Sequence, residues 1–173
     1  MKILFLAPLP PPINGQSLAS KVLLDELATY HDVEIVDFRK DNFSEGVDSF
    51  KRIFQIVSNL LSIWRKKKNV NAIYLTISES FAGNIKDLVI YLLCFKYISK
   101  MYIHLHGGSI KKLLWNQHRI VFSINKILIK RFAGVIISGK SHMSIFDEMI
   151  PRKRLHIVQN FAQDYLFLTE KKI

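Results

Sequence analysis

Short apolar runs alternate with longer stretches in which apolar positions recur every three or four residues. Ile3–Ala7, Val33–Phe38, Ala72–Thr76, Met101–His104, Val135–Ser138 and Leu155–Val158 are short runs rich in Ile, Val, Leu and Tyr. They predict β-strands. Between them, the spacing predicts helices over Gln16–Tyr30, Val47–Lys67, Asn84–Tyr97, Leu113–Arg131 and Ser141–Met149. Such regular alternation implies parallel strands joined by right-handed crossovers. The expected architecture is α/β: a Rossmann-like doubly wound, mainly parallel sheet with helices on both faces. No internal repeat or low-complexity segment is visible. One domain is expected over residues 1–160, with 161–173 beginning a linker or tail.

Composition narrows the partners. Of the 173 residues, 49% are hydrophobic, enough for one domain with a proper core. The net charge of +11 points to an anionic partner such as a membrane surface, a nucleic acid or a phosphorylated substrate. The lone cysteine, Cys94, lies in an apolar run and reads as a small buried hydrophobe, which fits a reducing cytosol. The most apolar region is interrupted by Lys86, Asp87, Lys96 and Lys100. Its uncharged core falls short of the roughly 20 residues needed to span a bilayer, so a buried helix is expected there.

In a doubly wound sheet, ligands bind where strand C-termini give way to loops. That rule selects Pro8–Gln16, Asp37–Asn42, Ser78–Asn84, His104–Ser109 and Ser138–Ser141. The first loop carries Pro10, Pro11 and Pro12, then Asn14 and Gly15 before the helix opened by Gln16 and Ser17. The prolines stiffen the approach, and a glycine lets a ligand come close to the first helical amides, which favour anions. The same residues also fit a plain Asn-Gly turn, and both readings stand. The G-x-G-x-x-G fingerprint of dinucleotide sites is absent; Asp37 alone, at the end of a strand, imitates its ribose-binding acid only weakly.

The loop Y-I-H-L-H-G-G-S places His104 and His106 on one face of a strand end. His104 reads as a satisfied core histidine. His106, beside Gly107 and Gly108, reads as a functional imidazole that hydrogen-bonds a substrate or stabilises developing charge. A metal site would need a third ligand, and His118, His142 and His156 stand at no recognisable metal spacing.

The N-terminal M-K-I-L-F-L-A-P with its Pro/Gly loop, the mid-sequence H-G, the V-I-I-S-G-K-S-H segment and the late Q-N-F-A-Q-D-Y-L-F resemble the N-terminal half of family 4 glycosyltransferases. These are GT-B enzymes with two Rossmann-like domains facing a cleft. The resemblance implies that Gly15 and Gln16 present amides to a donor diphosphate and that His106 contacts the donor sugar as the catalytic residue. Gly107 and Ser138 would line the cleft, and Asn160 and Phe161 would lead into the interdomain linker. It implies a retaining, metal-independent transfer from a nucleotide sugar to a lipid-linked or polysaccharide acceptor, with no cofactor besides the donor substrate. The C-terminal donor-binding domain, which carries most nucleotide contacts in this family, is expected from a longer polypeptide or from a partner protein.

The segment from Val47 to Lys68 has an apolar stripe at Phe50, Ile53, Phe54, Val57, Leu60, Leu61 and Trp64. Lys51, Arg52, Arg65, Lys66, Lys67 and Lys68 make it strongly basic. Two readings fit: a core-facing helix with a solvated basic end, or an interfacial helix on an anionic membrane. Lys111, Lys112, Arg119, Lys126, Lys130 and Arg131 form a second basic region. The resemblance tilts the charge toward a bilayer, hence toward a cytoplasmic protein peripheral to the inner face of the cell membrane. No nucleic-acid-binding motif is present, and no nucleic-acid partner is expected. The reading from another class is a non-catalytic Rossmann-like module that binds a nucleotide or polyanion.

Overall fold

The computed structural model describes residues 1–39 and 49–159, without the side chains of Ser49 and Phe50. Six strands form one parallel sheet: β1 (Lys2–Ala7), β2 (Asp32–Asp37), β3 (Ala72–Thr76), β4 (Met101–Leu105), β5 (Gly134–Ile137) and β6 (Leu155–Ile157). Each lies within one residue of the limits expected from the apolar runs. Five α-helices are described: α1 (Gly15–Tyr30), α2 (Ser49–Lys66), α3 (Phe81–Leu93), α4 (Arg119–Ile129) and the short α5 (Met143–Phe146).

The strand order is β2-β1-β3-β4-β5-β6. The step from β1 to β2 therefore runs one way along the sheet and every later step runs the other way. Right-handed crossovers then place α1 on one face and the later helices on the opposite face. Packing agrees with this. Leu24 of α1 packs with Phe5, Ala7 and Tyr74 on the first face. On the other face Leu4, Leu6, Ile73, Leu75, Ile103 and Val135 meet Ile63 of α2, Tyr91 of α3 and Ile129 of α4. Most of these residues are fully buried. Each such aliphatic or aromatic residue contributes about 1.5–3 kcal/mol, so the second face carries most of the hydrophobic stabilisation.

Three helices depart from their expected extents. The helix expected over Asn84–Tyr97 begins earlier, at Phe81, where Ser80 caps it by accepting a hydrogen bond from the Gly83 amide. It ends at Leu93, and a 3-10 turn over Phe95–Lys100 follows. The Lys67 ammonium donates to the Leu93 carbonyl and so satisfies one of the acceptors exposed at that end. The single helix expected over Leu113–Arg131 is instead a π-helical turn, Lys111–Trp115, followed by α4. The wider turn lets the consecutive residues Leu114 and Trp115 both enter the core, where Trp115 meets Phe122 and Phe146. Over Ser141–Met149 only Met143–Phe146 is α-helical, after a 3-10 turn at Lys140–His142.

The apolar stripe of α2, for which a core-facing placement was one of two readings, mostly faces outward. Leu60 packs against the core together with the fully buried Ile63, whereas Ile53, Phe54, Val57, Leu61 and Trp64 are exposed. The start expected at Val47, the end of the Asp37–Asn42 loop, the Asn160–Phe161 pair and the tail 161–173 lie outside the described residues.

Candidate functional site

β1 and β3 are neighbours whose outgoing connections leave in opposite directions, which makes the gap at their C-terminal ends the topological switch point. A cavity of about 340 Å³ lies there. Four of the five loops selected from the sequence contribute to its lining: Pro8, Leu9, Pro12, Asn14, Gln16 and Ser17 after β1, Phe38 and Arg39 after β2, Thr76 to Ser80 after β3, and His106 and Gly107 after β4. Lys86 of α3 completes the wall.

The first wall is the start of α1. Asn14, in extended conformation, is the N-cap: its amide oxygen accepts from the Ser17 amide at 2.9 Å, and the Ser17 hydroxyl accepts from the Asn14 amide at 3.0 Å. This reciprocal box fixes the helix entry. It leaves the amides of Gly15 and Gln16 without an acceptor among the described residues. Gln16 lines the cavity and Gly15 lies beside it, not in the wall. A β-carbon on Gly15 would meet nothing within 4 Å, so the fold does not require glycine there. Gly83 differs: a β-carbon would approach the Ser78 β-carbon to 2.5 Å, and glycine lets α3 start against the β3 loop.

His106 also lines the cavity. Both of its ring nitrogens are buried and have no hydrogen-bond partner. Burial lowers its pKa to about 4, so at neutral pH it carries one N–H donor and one bare acceptor. Behind it, the His104 ring stacks at 3.9 Å between centroids. His104 Nδ1 lies 2.6 Å from the Tyr74 hydroxyl, and burial first, then the neighbouring His106, lowers its pKa to about 3. His104 is thus a core histidine with one satisfied nitrogen; its Nε2 has no partner.

Charge enters the cavity from side chains that no local motif marks. Arg39 Nε pairs with Asp37 at 2.5 Å, and Asp37 also accepts from the Leu9 and Arg39 amides. Lys86 Nζ lies 3.1 Å from the buried Asp87 and 4.2 Å above the Phe38 ring. Burial raises the Asp87 pKa, against the pull of Lys86 and of the Ser78 amide that bonds its other oxygen at 2.7 Å. Glu79 is the only acid among the described residues that line the cavity, and its Oε1 accepts from the Ser109 and Ile110 amides. Gly107 and Gly108 bend the polypeptide after β4 and make room for their neighbours: β-carbons there would meet Glu79 and His142, each at 2.6 Å.

The structure thus gathers Gln16, His106 and Gly107 on one cavity, with Gly15 adjacent. Ser138 stands behind it, its hydroxyl donating to the His106 carbonyl at 3.2 Å and lying 3.0 Å from His142 Nδ1. Lys51, Arg52, Arg65, Lys66, Lys67 and Lys68 lie on or just after α2 and line no part of the cavity. Two of them are held by backbone: Lys66 donates to the Ile35 carbonyl at 2.8 Å, and Lys67 to that of Leu93. Among the described residues, no group of three or more His, Cys, Asp or Glu side chains is placed to hold a metal ion. No family model matches the sequence, and no curated protein matches it.

Proposed function

We propose that this protein is the N-terminal, acceptor-side lobe of a retaining GT-B glycosyltransferase. It works with a donor-binding lobe to move a sugar from a nucleotide diphosphate to a hydroxyl of a lipid-linked or polysaccharide acceptor. The observation that carries this reading is His106: a neutral imidazole with two buried, unpartnered nitrogens, lining the same switch-point cavity as Gln16 at a helix start.

In this reading the Gln16 amide, with Gly15 beside it, holds the leaving diphosphate, and Arg39 and Lys86 offset its charge. His106 hydrogen-bonds the sugar beside the anomeric carbon. Its ring leaves the stack on His104 to do so, and neither nitrogen gives up a hydrogen bond in moving. The anomeric C–O bond to phosphate breaks, and the acceptor oxygen bonds on the same face. The acceptor's proton passes to the departing phosphate oxygen, so the step needs no protein base.

One observation favours a second reading, a nucleotide- or polyanion-binding module without catalysis: Arg39 and Lys86 line the cavity, and its Glu79 carboxylate is held by two backbone amides. Transfer from a panel of labelled nucleotide sugars to a short-chain lipid-linked acceptor, by the protein assembled with its donor-binding lobe, separates the two. His106→Ala should lower turnover by about 10²–10³-fold with folding intact, the loss typical of a lost transition-state donor. Unchanged turnover removes His106 from the chemistry. Tight nucleotide binding without any transfer supports the second reading.

A further inference from the structure

α2, α3 and α4 lie side by side on one face of the sheet. α2 packs on α3. α3 meets α4 through the Asn84–Asn125 hydrogen bonds and the Phe81–His118 ring contact. Each helix already buries an inner stripe in the core, and each also turns a second apolar stripe to the outside. On α2 this stripe is Ile53, Phe54, Val57, Leu61 and Trp64, with Phe54 76% exposed. On α3 it is Phe81, Ile85, Val89 and Leu92, with Leu92 64% exposed. On α4 it is Ile120, Ile124 and Ile127, with Ile120 78% exposed. Single exposed apolar residues need no explanation, but three adjacent stripes make a surface larger than monomers usually leave bare.

Charge decides what such a surface fits. Residues 49–68 and 81–133, which hold these three helices and the connection from α3 to α4, carry fifteen of the protein's 25 Lys and Arg residues. They carry one of its 14 acidic residues, Asp87, and that one is buried. The cores of protein interfaces are poor in lysine, whereas apolar helix faces bordered by Lys, Arg and aromatics bed into anionic lipid. Lys68 Nζ stands 5.8 Å from the Trp64 ring and Arg131 stands 5.2 Å from the Phe95 ring, with long stems that let the charge reach lipid phosphates. No helix among the described residues is long and apolar enough to cross a membrane.

We propose that the outer face of α2, α3 and α4 is a membrane-docking surface that lies on an anionic bilayer, with its three apolar stripes in the interface. The proposal does not rest on the glycosyltransferase reading. It does place the cavity at the rim of the contact, because cavity-lining Ser80 immediately precedes Phe81, the first residue of the α3 stripe.

Flotation of the full-length protein with phosphatidylcholine vesicles, with and without phosphatidylglycerol, tests it. Tryptophan emission provides a second readout, since Trp64 is half exposed and Trp115 is buried. The protein should float with the anionic vesicles only, added salt should weaken the association, and the emission should shift to the blue. Phe54→Ser and Leu92→Ser should each weaken binding about tenfold or more without changing the melting temperature, since each removes one large inserted side chain. His106→Ala should bind vesicles like the parent whatever it does to transfer. Failure to float, equal binding to neutral vesicles, or indifference to both serine substitutions would overturn the proposal. So would self-association that the same substitutions abolish, because the face would then join two copies.

Discussion

The imidazole rings of His104, on β4, and His106, in the loop just after it, stack with centroids 3.9 Å apart and planes inclined by 30°. Burial holds both neutral, with pKa values lowered from 6.5 to about 3 and about 4. A histidine whose folded pKa lies below its unfolded value binds fewer protons when folded. Its contribution is therefore fully present above about pH 6.5 and is lost as the pH falls toward those lowered values. Asp87 acts in the opposite sense, because burial raises its pKa and its ionisation with rising pH costs stability. Between pH 6.5 and 4.5 each ring should lose at most about 2.7 kcal/mol. Urea unfolding across this range should show stability falling with pH, and a His104→Gln, His106→Gln double variant should flatten the slope. An unchanged slope would mean that the pair does not titrate as its burial requires.

A second buried pair fixes α3 against α4. Asn125 Nδ2 donates to Asn84 Oδ1 at 2.9 Å and to the Val121 carbonyl at 2.9 Å, with both residues almost inaccessible. Asn84→Ala leaves the Asn125 amide oxygen buried and unpartnered, at a cost of about 1–3 kcal/mol in denaturant unfolding. Replacing both residues with leucine removes the stranded polar groups and should cost less than the single change. A double variant as unstable as the sum of its singles would show that the pair does not act as a unit.

The strands were legible because a parallel sheet buried on its inner positions demands short apolar runs, and those runs mark where each strand lies. Helix limits were less legible where tertiary packing overrides periodicity. The apolar spacing from Leu113 onward continues smoothly, yet Trp115 needs a widened turn to reach Phe146. On α2 the stripe was visible, but not which side would meet the sheet; Ile63, outside the stripe, is the fully buried residue. In the cavity, the loops and His106 followed from the strand-end rule. Arg39 and Glu79 lie on two of those loops, but nothing local singled out their side chains, and Lys86 arrives from α3, outside every selected loop. Arg39 pairs with Asp37 two residues away and Lys86 with its neighbour Asp87, whereas the bond from the Ser109 amide to Glu79 spans thirty residues and exists only in three dimensions.

The basic cluster after α2 divides by what its members touch. Lys66 and Lys67 donate to the carbonyls of Ile35 and Leu93 and so tie α2 to β2 and α3. Lys66→Gln and Lys67→Gln should each lower stability by about 0.5–1.5 kcal/mol in thermal or urea unfolding, apart from any loss of vesicle binding. Arg52→Gln and Lys68→Gln should stay within about 0.5 kcal/mol of the parent, as exposed substitutions usually do. If all four behave alike in unfolding, the two carbonyl contacts are not holding the helix. The second pair is therefore the cleaner probe of charge at a membrane.

The last prediction concerns the protein by itself, which should bind nucleotide sugars no better than millimolar and transfer none. Its cavity offers a few polar contacts: the Gln16 amide, with Gly15 adjacent, the neutral His106 ring, and two cations already paired with Asp37 and Asp87. Hydrogen bonds of this kind contribute about 0.5–1.5 kcal/mol each. Four of them supply roughly 2–6 kcal/mol, against at least about 4 kcal/mol of lost translational and rotational freedom. Micromolar affinity needs about 8 kcal/mol. In the two-lobe reading the remainder comes from a second lobe that holds base and ribose, and only the assembled pair should reach it. Calorimetric titration of the 173-residue protein with a panel of nucleotide sugars, run beside a transfer assay, measures both quantities. Micromolar binding or any turnover by this protein alone would show that the cavity at the β1–β3 switch point is a whole site, and that the two-lobe reading is wrong.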